Sequence, residues 1–236
     1  MITPHAHSNY SLLKGTIPIE ELISFAVKEG SKSVALTDDN GMYGILQFAK
    51  LAQQQNIKPI LGSLIDDPNN PNESALFLAK NNNGYSQLCR LITTRKLKED
   101  FKLHQYINDI PNDLFVITNS IELLRKLNFS KSLKENLFVE LIITNKLKRK
   151  TRELYNFAKE NNLLITASHP AYFLNKEDYL LHKTVTAIRL NKTLNSLTED
   201  NLVDEEFYLK STNELNEIWK KVPEALKNAE IIAEEC

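Results

Sequence analysis

Ser33-Val34-Ala35-Leu36-Thr37-Asp38-Asp39-Asn40-Gly41 is a short apolar run, suited to a buried strand, that breaks abruptly into carboxylates and turn formers. A strand ending this way carries its polar groups at one tip. Two other segments share the pattern. In His5-Ala6-His7 the histidines stand two residues apart, so an extended backbone projects both from one face. Leu163 to Ala167 reads as a strand and runs directly into Ser168-His169.

Between these segments the chain alternates. Ile19, Leu22, Ile23, Ala26 and Val27 repeat at helical spacing after Pro18, and Gly30 is a natural stop. A helix is expected over Ile45 to Gln55, a strand over Lys58 to Leu61, a polar loop over Pro68 to Glu73 and a strand over Ala75 to Ala79. A helix then runs through Thr94, and Thr94 to Asp113 is polar, with one short helix near Leu103 to Ile107. Strands follow at Leu114 to Thr118 and Leu137 to Ile143, with helices at Ser120 to Lys126, Lys146 to Asn161 and Lys176 to Leu190. Ser211-Thr212-Asn213-Glu214 has capping-box spacing, and Pro223 opens a last helix.

Six or seven strands alternating with helices from His5 to about Leu190 predict parallel strands joined by crossover helices. An open doubly wound sheet and a (β/α) barrel both satisfy that order. No G-x-G-x-x-G or G-x-x-x-x-G-K-[ST] occurs, so the nucleotide-binding versions of the open sheet lose support. Polar clusters at the strand ends favour a barrel with its site on the C-terminal rim.

Composition sets the class. A chain of 236 residues with net charge -1 and 42% apolar residues is an ordinary globular protein without the basic excess of a bulk nucleic-acid binder. Cys89 and Cys236 have no metal or redox spacing, which suits a reducing, cytoplasmic setting. No apolar run approaches the ~18 residues of a membrane span, and no signal-peptide core opens the chain. Ala225 to Cys236 reads as a helix still running, so the chain is expected to be a piece of something longer. The run Lys146-Leu147-Lys148-Arg149-Lys150 is read as a solvated helix face, and Trp219 as core.

Several motifs together are specific. His5-Ala6-His7-Ser8-Asn9-Tyr10-Ser11-Leu12-Leu13-Lys14-Gly15 resembles the first motif of the PHP (polymerase and histidinol phosphatase) superfamily, and Ala35 to Gly44 resembles its second. Lys58-Pro59-Ile60-Leu61-Gly62, Leu78 to Tyr85 and Phe207-Tyr208-Leu209-Lys210-Ser211 resemble one branch, the N-terminal domains of bacterial replicative DNA polymerase III alpha subunits. The resemblance implies a distorted (β/α)7 TIM-like barrel over 1–195. A helical C-terminal extension over 196–236 would lead toward a polymerase palm.

It also implies a rim of histidines and carboxylates holding up to three metal ions, which activate water and stabilise a phosphoryl transition state. Position by position, much of that set has changed. His5, His7 and Asp38 match. Asp39 stands for a histidine, Leu64 for a glutamate, Ser74 and Thr144 for histidines, His169 for an aspartate and Ala171 for the last histidine. His5, His7, Asp38 and His169 supply four N/O donors, enough for one residual zinc ion but not for a catalytic cluster. The resemblance therefore implies a catalytically degenerate scaffold with no required cofactor. Its partners would be the rest of the polymerase chain and replisome subunits such as a proofreading exonuclease, with DNA contacted through the parent polymerase and no membrane. A metal-dependent phosphoesterase (exonuclease, pyrophosphatase or phosphatase) is the alternative.

Overall fold

The computed structural model describes residues 4–110 and 112–236. Met1 to Thr3, the start of the N-terminal segment, and Pro111, within the polar stretch Thr94 to Asp113, lie outside the described residues. In chain order the first elements are α1 (Ile19–Lys28), β1 (Ser33–Leu36), α2 (Ile45–Gln54), β2 (Lys58–Asp67), β3 (Asn70–Ala79), α3 (Asn82–Leu97) and α4 (Leu103–Asn108). There follow β4 (Leu114–Thr118), α5 (Ile121–Lys126), α6 (Lys131–Asn136), β5 (Leu137–Ile142), α7 (Lys148–Asn161), β6 (Leu164–Ser168), α8 (Tyr179–Leu190), α9 (Thr212–Trp219) and α10 (Pro223–Glu235).

Local chemistry explains most of the boundaries. Pro18 precedes α1, Glu20 and Glu21 sit in its first turn, and Gly30 ends it with φ +63°, a left-handed backbone that suits glycine. Asn81, Ser120 and Ser130 each accept a backbone N–H at the start of α3, α5 and α6. Ser211 and Glu214 form the full reciprocal capping box of α9.

The six strands make one curled sheet in the order β1-β2-β3-β4-β5-β6. The expectation of parallel pairing throughout is corrected here. β1–β2, β4–β5 and β5–β6 are parallel, whereas β2–β3 and β3–β4 are antiparallel. Asp67 pairs with Asn70, so only Pro68 and Asn69 connect β2 to β3, too short a link for a crossover. The polar stretch Pro68 to Glu73 is therefore mostly strand rather than loop. It is polar because the hairpin reaches past the core, and its one deeply buried charge, Glu73, accepts from Asn70 and Lys126.

Instead of a seventh ladder strand, the His5–Ser8 segment makes single bridges. Ala6 pairs with Ala171, the His7 N–H donates to the Ala171 carbonyl at 2.9 Å, and the Thr37 N–H donates to the Ala6 carbonyl at 2.8 Å. The segment thus links the tip of β1 to the chain just after β6.

Alternation along the strands divides the core. Val34 and Leu36 pack with α1 and α2, while Phe77, Val116, Val139 and Ile165 face the cluster that includes Leu88, Leu124, Leu154 and Trp219. The opposite face gathers Ala35, Ile60, Leu78, Phe115, Ile117 and Phe138 around Ile232 of α10. Lys58, at the start of β2, donates to the carbonyls of Ala233 and Glu234, satisfying acceptors that the end of α10 leaves open. The end of α10 therefore plugs the sheet at the edge opposite the polar strand tips.

Candidate functional site

The site grows from the two-sided bonding of the His5–Ser8 segment. Because Ala6 is pinned to Thr37 on one side and Ala171 on the other, His5 and His7 leave the backbone on the same face, with ring centroids 4.9 Å apart. Both are buried, and Tyr172 stacks on His7 at 4.0 Å and 15°.

Asp38 follows β1 and lies between these histidines and the next loop. Its Oδ1 accepts from the Ser8 N–H at 2.7 Å and the Ser11 hydroxyl at 2.6 Å, and its Oδ2 accepts from the Ser8 hydroxyl at 2.8 Å. Burial raises its carboxyl above the ordinary value, and the serine hydrogen bonds oppose that rise. Ser11 spends its only proton on Asp38 and accepts the Asp39 N–H at 3.0 Å. Toward His7 Nδ1, 3.2 Å away, it can therefore only accept, which places the imidazole hydrogen on Nδ1. His7 Nε2 is buried with no hydrogen-bond partner among the described residues. Burial holds His7 well below the usual imidazole range, with His5 and Lys14 adding to the effect. Serine, histidine and aspartate adjoin here, yet they form no hydrolytic triad. Ser11 is buried and its proton goes to the carboxylate, not to the imidazole.

His5 is oriented from the opposite direction. Its Nδ1 donates to Oε1 of Glu140 at 2.6 Å, and Asn119 donates to the other carboxylate oxygen. A carboxylate behind an imidazole fixes its tautomer and raises its basicity. Burial pushes Glu140 up, but the charge and hydrogen bond of His5, with Asn119, outweigh it and hold the carboxyl below its ordinary value. Lys150 of α7 donates to the Asn119 side-chain Oδ1 at 3.1 Å. The sequence signal for Glu140 was available: a lone carboxylate in the apolar strand Leu137–Ile142 requires a built partner.

His169 is committed elsewhere. Its Nε2 donates to the carbonyls of Glu206 at 2.8 Å and Tyr208 at 3.2 Å, and burial, with Lys210 nearby, lowers its pKa to about 4. Thr144 donates to Asp204 at 2.6 Å. Ala171 joins the apolar cluster of Ala6 and Ile17, so its methyl group serves packing. Leu64 and Ser74 line a cavity of about 310 Å³ together with His5, Glu140, Asn119 and Lys150. Asp39 forms an ion pair with Lys14 at 3.2 Å.

The structure thus brings His5, His7 and Asp38 to one rim and turns the His169 Nε2 away toward residues 206–208. Among the described residues, no group of three or more His, Cys, Asp or Glu side chains is arranged to hold a metal ion. Three hydrogen bonds from Ser8 and Ser11 already fall on the Asp38 carboxylate, Asp39 pairs with Lys14, and the His169 Nε2 is turned from the other three donors.

A model of the PHP domain matches residues 4–165. The chain belongs to the PHP domain family. Over 98% of its length it is 30% identical to DNA polymerase III subunit alpha of Bacillus subtilis (strain 168), covering 22% of that protein. It is 28% identical to DNA polymerase III subunit alpha of Borreliella burgdorferi, again over 98% of the chain and covering 23% of the relative. The PHP domain described here spans about a fifth of the length of the curated relatives it matches. Among solved structures it is similar to a putative metal-dependent phosphoesterase from Bifidobacterium adolescentis, with 16% identity, TM-score 0.44, and coverage of 93% of this chain and 95% of that one.

Proposed function

We propose that this PHP domain belongs to a cytoplasmic DNA polymerase III alpha subunit. Within it, residues 1–195 would serve as a catalytically degenerate scaffold, and 196–236 would lead toward the polymerase palm. Matches to curated alpha subunits over 98% of the chain support the polymerase context. No described helix is long and apolar enough to cross a membrane. One observation carries the non-catalytic reading: Ser8 and Ser11 give the Asp38 carboxylate three hydrogen bonds, with which a metal ion would have to compete. The domain then requires no cofactor. DNA synthesis and DNA contact are properties of the parent polymerase, and a proofreading exonuclease is the subunit class that docks on the domain.

The test is hydrolysis. The purified chain, supplied with Mn²⁺, Zn²⁺ or Mg²⁺, is expected to cleave neither p-nitrophenyl phosphate nor the 3′ ends of single-stranded DNA above background. Metal-dependent turnover that disappears in His7→Ala would replace the scaffold with a phosphoesterase. Docking is tested in the complete subunit: deleting this region should abolish co-purification of the exonuclease, and retention would remove that role.

A further inference from the structure

The basic run at the start of α7 does not stay together in the fold. Lys146 Nζ pairs with Glu199 at 3.4 Å, and Lys150 donates to Asn119 at 3.1 Å. Lys148 belongs to a different face. With Arg152 and Tyr155 it forms a stripe at i, i+4, i+7 spacing, so the three lie on one side of the helix. Lys159, four residues on, continues the stripe, its ammonium 5.5 Å from the centre of the Tyr155 ring. From Lys148 to Lys159 the stripe runs about 16 Å along the helix.

The facing wall comes from a distant part of the chain, the turn between α9 and α10, where Lys220 and Lys221 follow Trp219. Lys159 and Glu224 tie the two walls together at 2.9 Å. Between them lies a groove of about 620 Å³, lined by Lys148, Arg152, Tyr155, Trp219, Lys220 and Lys221. Its one lining carboxylate, Glu217, is already paired with Lys220 at 2.6 Å. Lys148, Arg152 and Lys221 have no ion-pair partner among the described residues. Trp219 is wholly buried beneath them, and its indole N–H finds no acceptor among the described residues. The lining therefore offers donors and positive charge, with no free carboxylate to offset them.

The chain as a whole carries net charge -1, so this is a local field made by the fold. It suits an anion that can lie along the groove. Tyr155 sets the kind of anion, because it stands 36% exposed within the stripe of cations. Cations that track phosphates, with an aromatic ring between them on which a base can stack, are the pattern of a single-strand site. The linear sequence does not interleave these residues; the meeting of α7 with the α9–α10 turn does.

We infer that the groove between α7 and the α9–α10 turn binds a single-stranded nucleic acid. Lys148, Arg152 and Lys221 hold its phosphates and Tyr155 stacks on a base. This goes beyond the scaffold reading, which leaves DNA to the rest of the polymerase, and the two fail separately. Hydrolysis decides that reading, and strand binding decides this one.

The experiment is fluorescence anisotropy of a short fluorescein-labelled oligo(dT) titrated with the 236-residue chain, between about 50 and 200 mM salt. Arg152→Ala/Lys221→Ala should weaken binding at least about tenfold at the lowest salt. It should also make the slope of log affinity against log salt shallower by about 1.4, the value for two lost phosphate contacts on a single strand. Arg152→Lys/Lys221→Arg, which keeps both charges, should bind as the unmodified chain does. Tyr155→Leu should weaken the oligonucleotide at least about fivefold with the salt slope unchanged. Lys28→Ala/Lys131→Ala removes the same charge from exposed positions outside the groove and should change nothing. No binding at the lowest salt overturns the inference, as does an equal loss in the Lys28/Lys131 control. A duplex that binds as tightly and is indifferent to Tyr155→Leu overturns the single-strand assignment, and polyglutamate that competes as well as unlabelled oligo(dT) overturns the nucleic-acid one. All the substituted side chains are exposed, so the variants should melt with the unmodified chain.

Discussion

The two ends of the sheet solve the same problem in opposite ways. At the polar rim, His5, His7, Asp38 and Glu140 are as buried as core leucines, and each carboxylate is met by designated donors. At the far end, Phe115, Ile60 and Leu78 close on Ile232, while Lys58 caps the end of α10 and Lys80 pairs with Glu235 and donates to Asn136. The difference teaches that loss of reactive geometry need not mean loss of polar groups. The rim buries them and saturates them with hydrogen bonds, whereas the far end closes on apolar side chains and holds its lysines around the end of α10.

The largest expected effect lies at the far end. Phe115 packs edge-on against Phe138 at 5.5 Å and lies under the Lys80 ammonium at 3.9 Å. Phe115→Ala should lower unfolding free energy in urea by about 3–5 kcal/mol. A loss under about 1 kcal/mol would mean that this end is not a packed core. Next is Asp38→Ala at the rim. It strands three buried donors, so a loss of about 3 kcal/mol is expected. From sequence alone this substitution reads as nearly silent unless it removes a bound metal or a buried hydrogen bond, and the serine contacts supply the second exception. A melting temperature unchanged by Asp38→Ala would separate the rim from the stability of the fold.

A third effect follows pH. His169 has a folded pKa of about 4 against 6.5 unfolded, so the unfolded chain takes up its proton first. The stability tied to its neutral form is complete above pH 6.5 and drains away as pH falls toward 4. By about pH 5 the loss is roughly 2 kcal/mol. His169→Asn should flatten this part of the stability–pH curve, and an unaltered slope would place the acid sensitivity in His7 or His182 instead. The smallest effect is that of the α10 cap. Lys58→Met removes two hydrogen bonds to helix-end carbonyls on an exposed edge and should cost about 1 kcal/mol, read from the same urea curves.

The alternating order of strands and helices was legible because apolar periodicity and turn residues mark each element independently. The antiparallel turn at Pro68-Asn69 was not, because a polar hairpin projecting past its core looks like a loop. Helix α6 was also hidden: Lys131–Asn136 has one buried leucine, and only the Ser130 cap announces it. Of the rim, the motif residues His5, His7 and Asp38 were readable, but their fixers were not. Ser8, Ser11 and Asn119 are ordinary surface types by sequence. Only the crossing of the N-terminal segment between β1 and Ala171 brings two of them onto Asp38.

The β2–β3 hairpin also bears on how the chain finds its fold. β1 and β2 begin at partners Ser33 and Lys58, and β3 reaches β4 only across α3 and α4, so these pairings require long loops to close before any contact forms. Asp67 and Asn70 are separated by two residues and need almost no closure entropy. Pulse-labelled hydrogen exchange during refolding is therefore expected to find the amides of Ile65, Ala75 and Phe77 protected before those of β1 or β6. Protection of β5 and β6 first would reverse the order. On this expectation, assembly of the sheet begins at the first of its two antiparallel pairings.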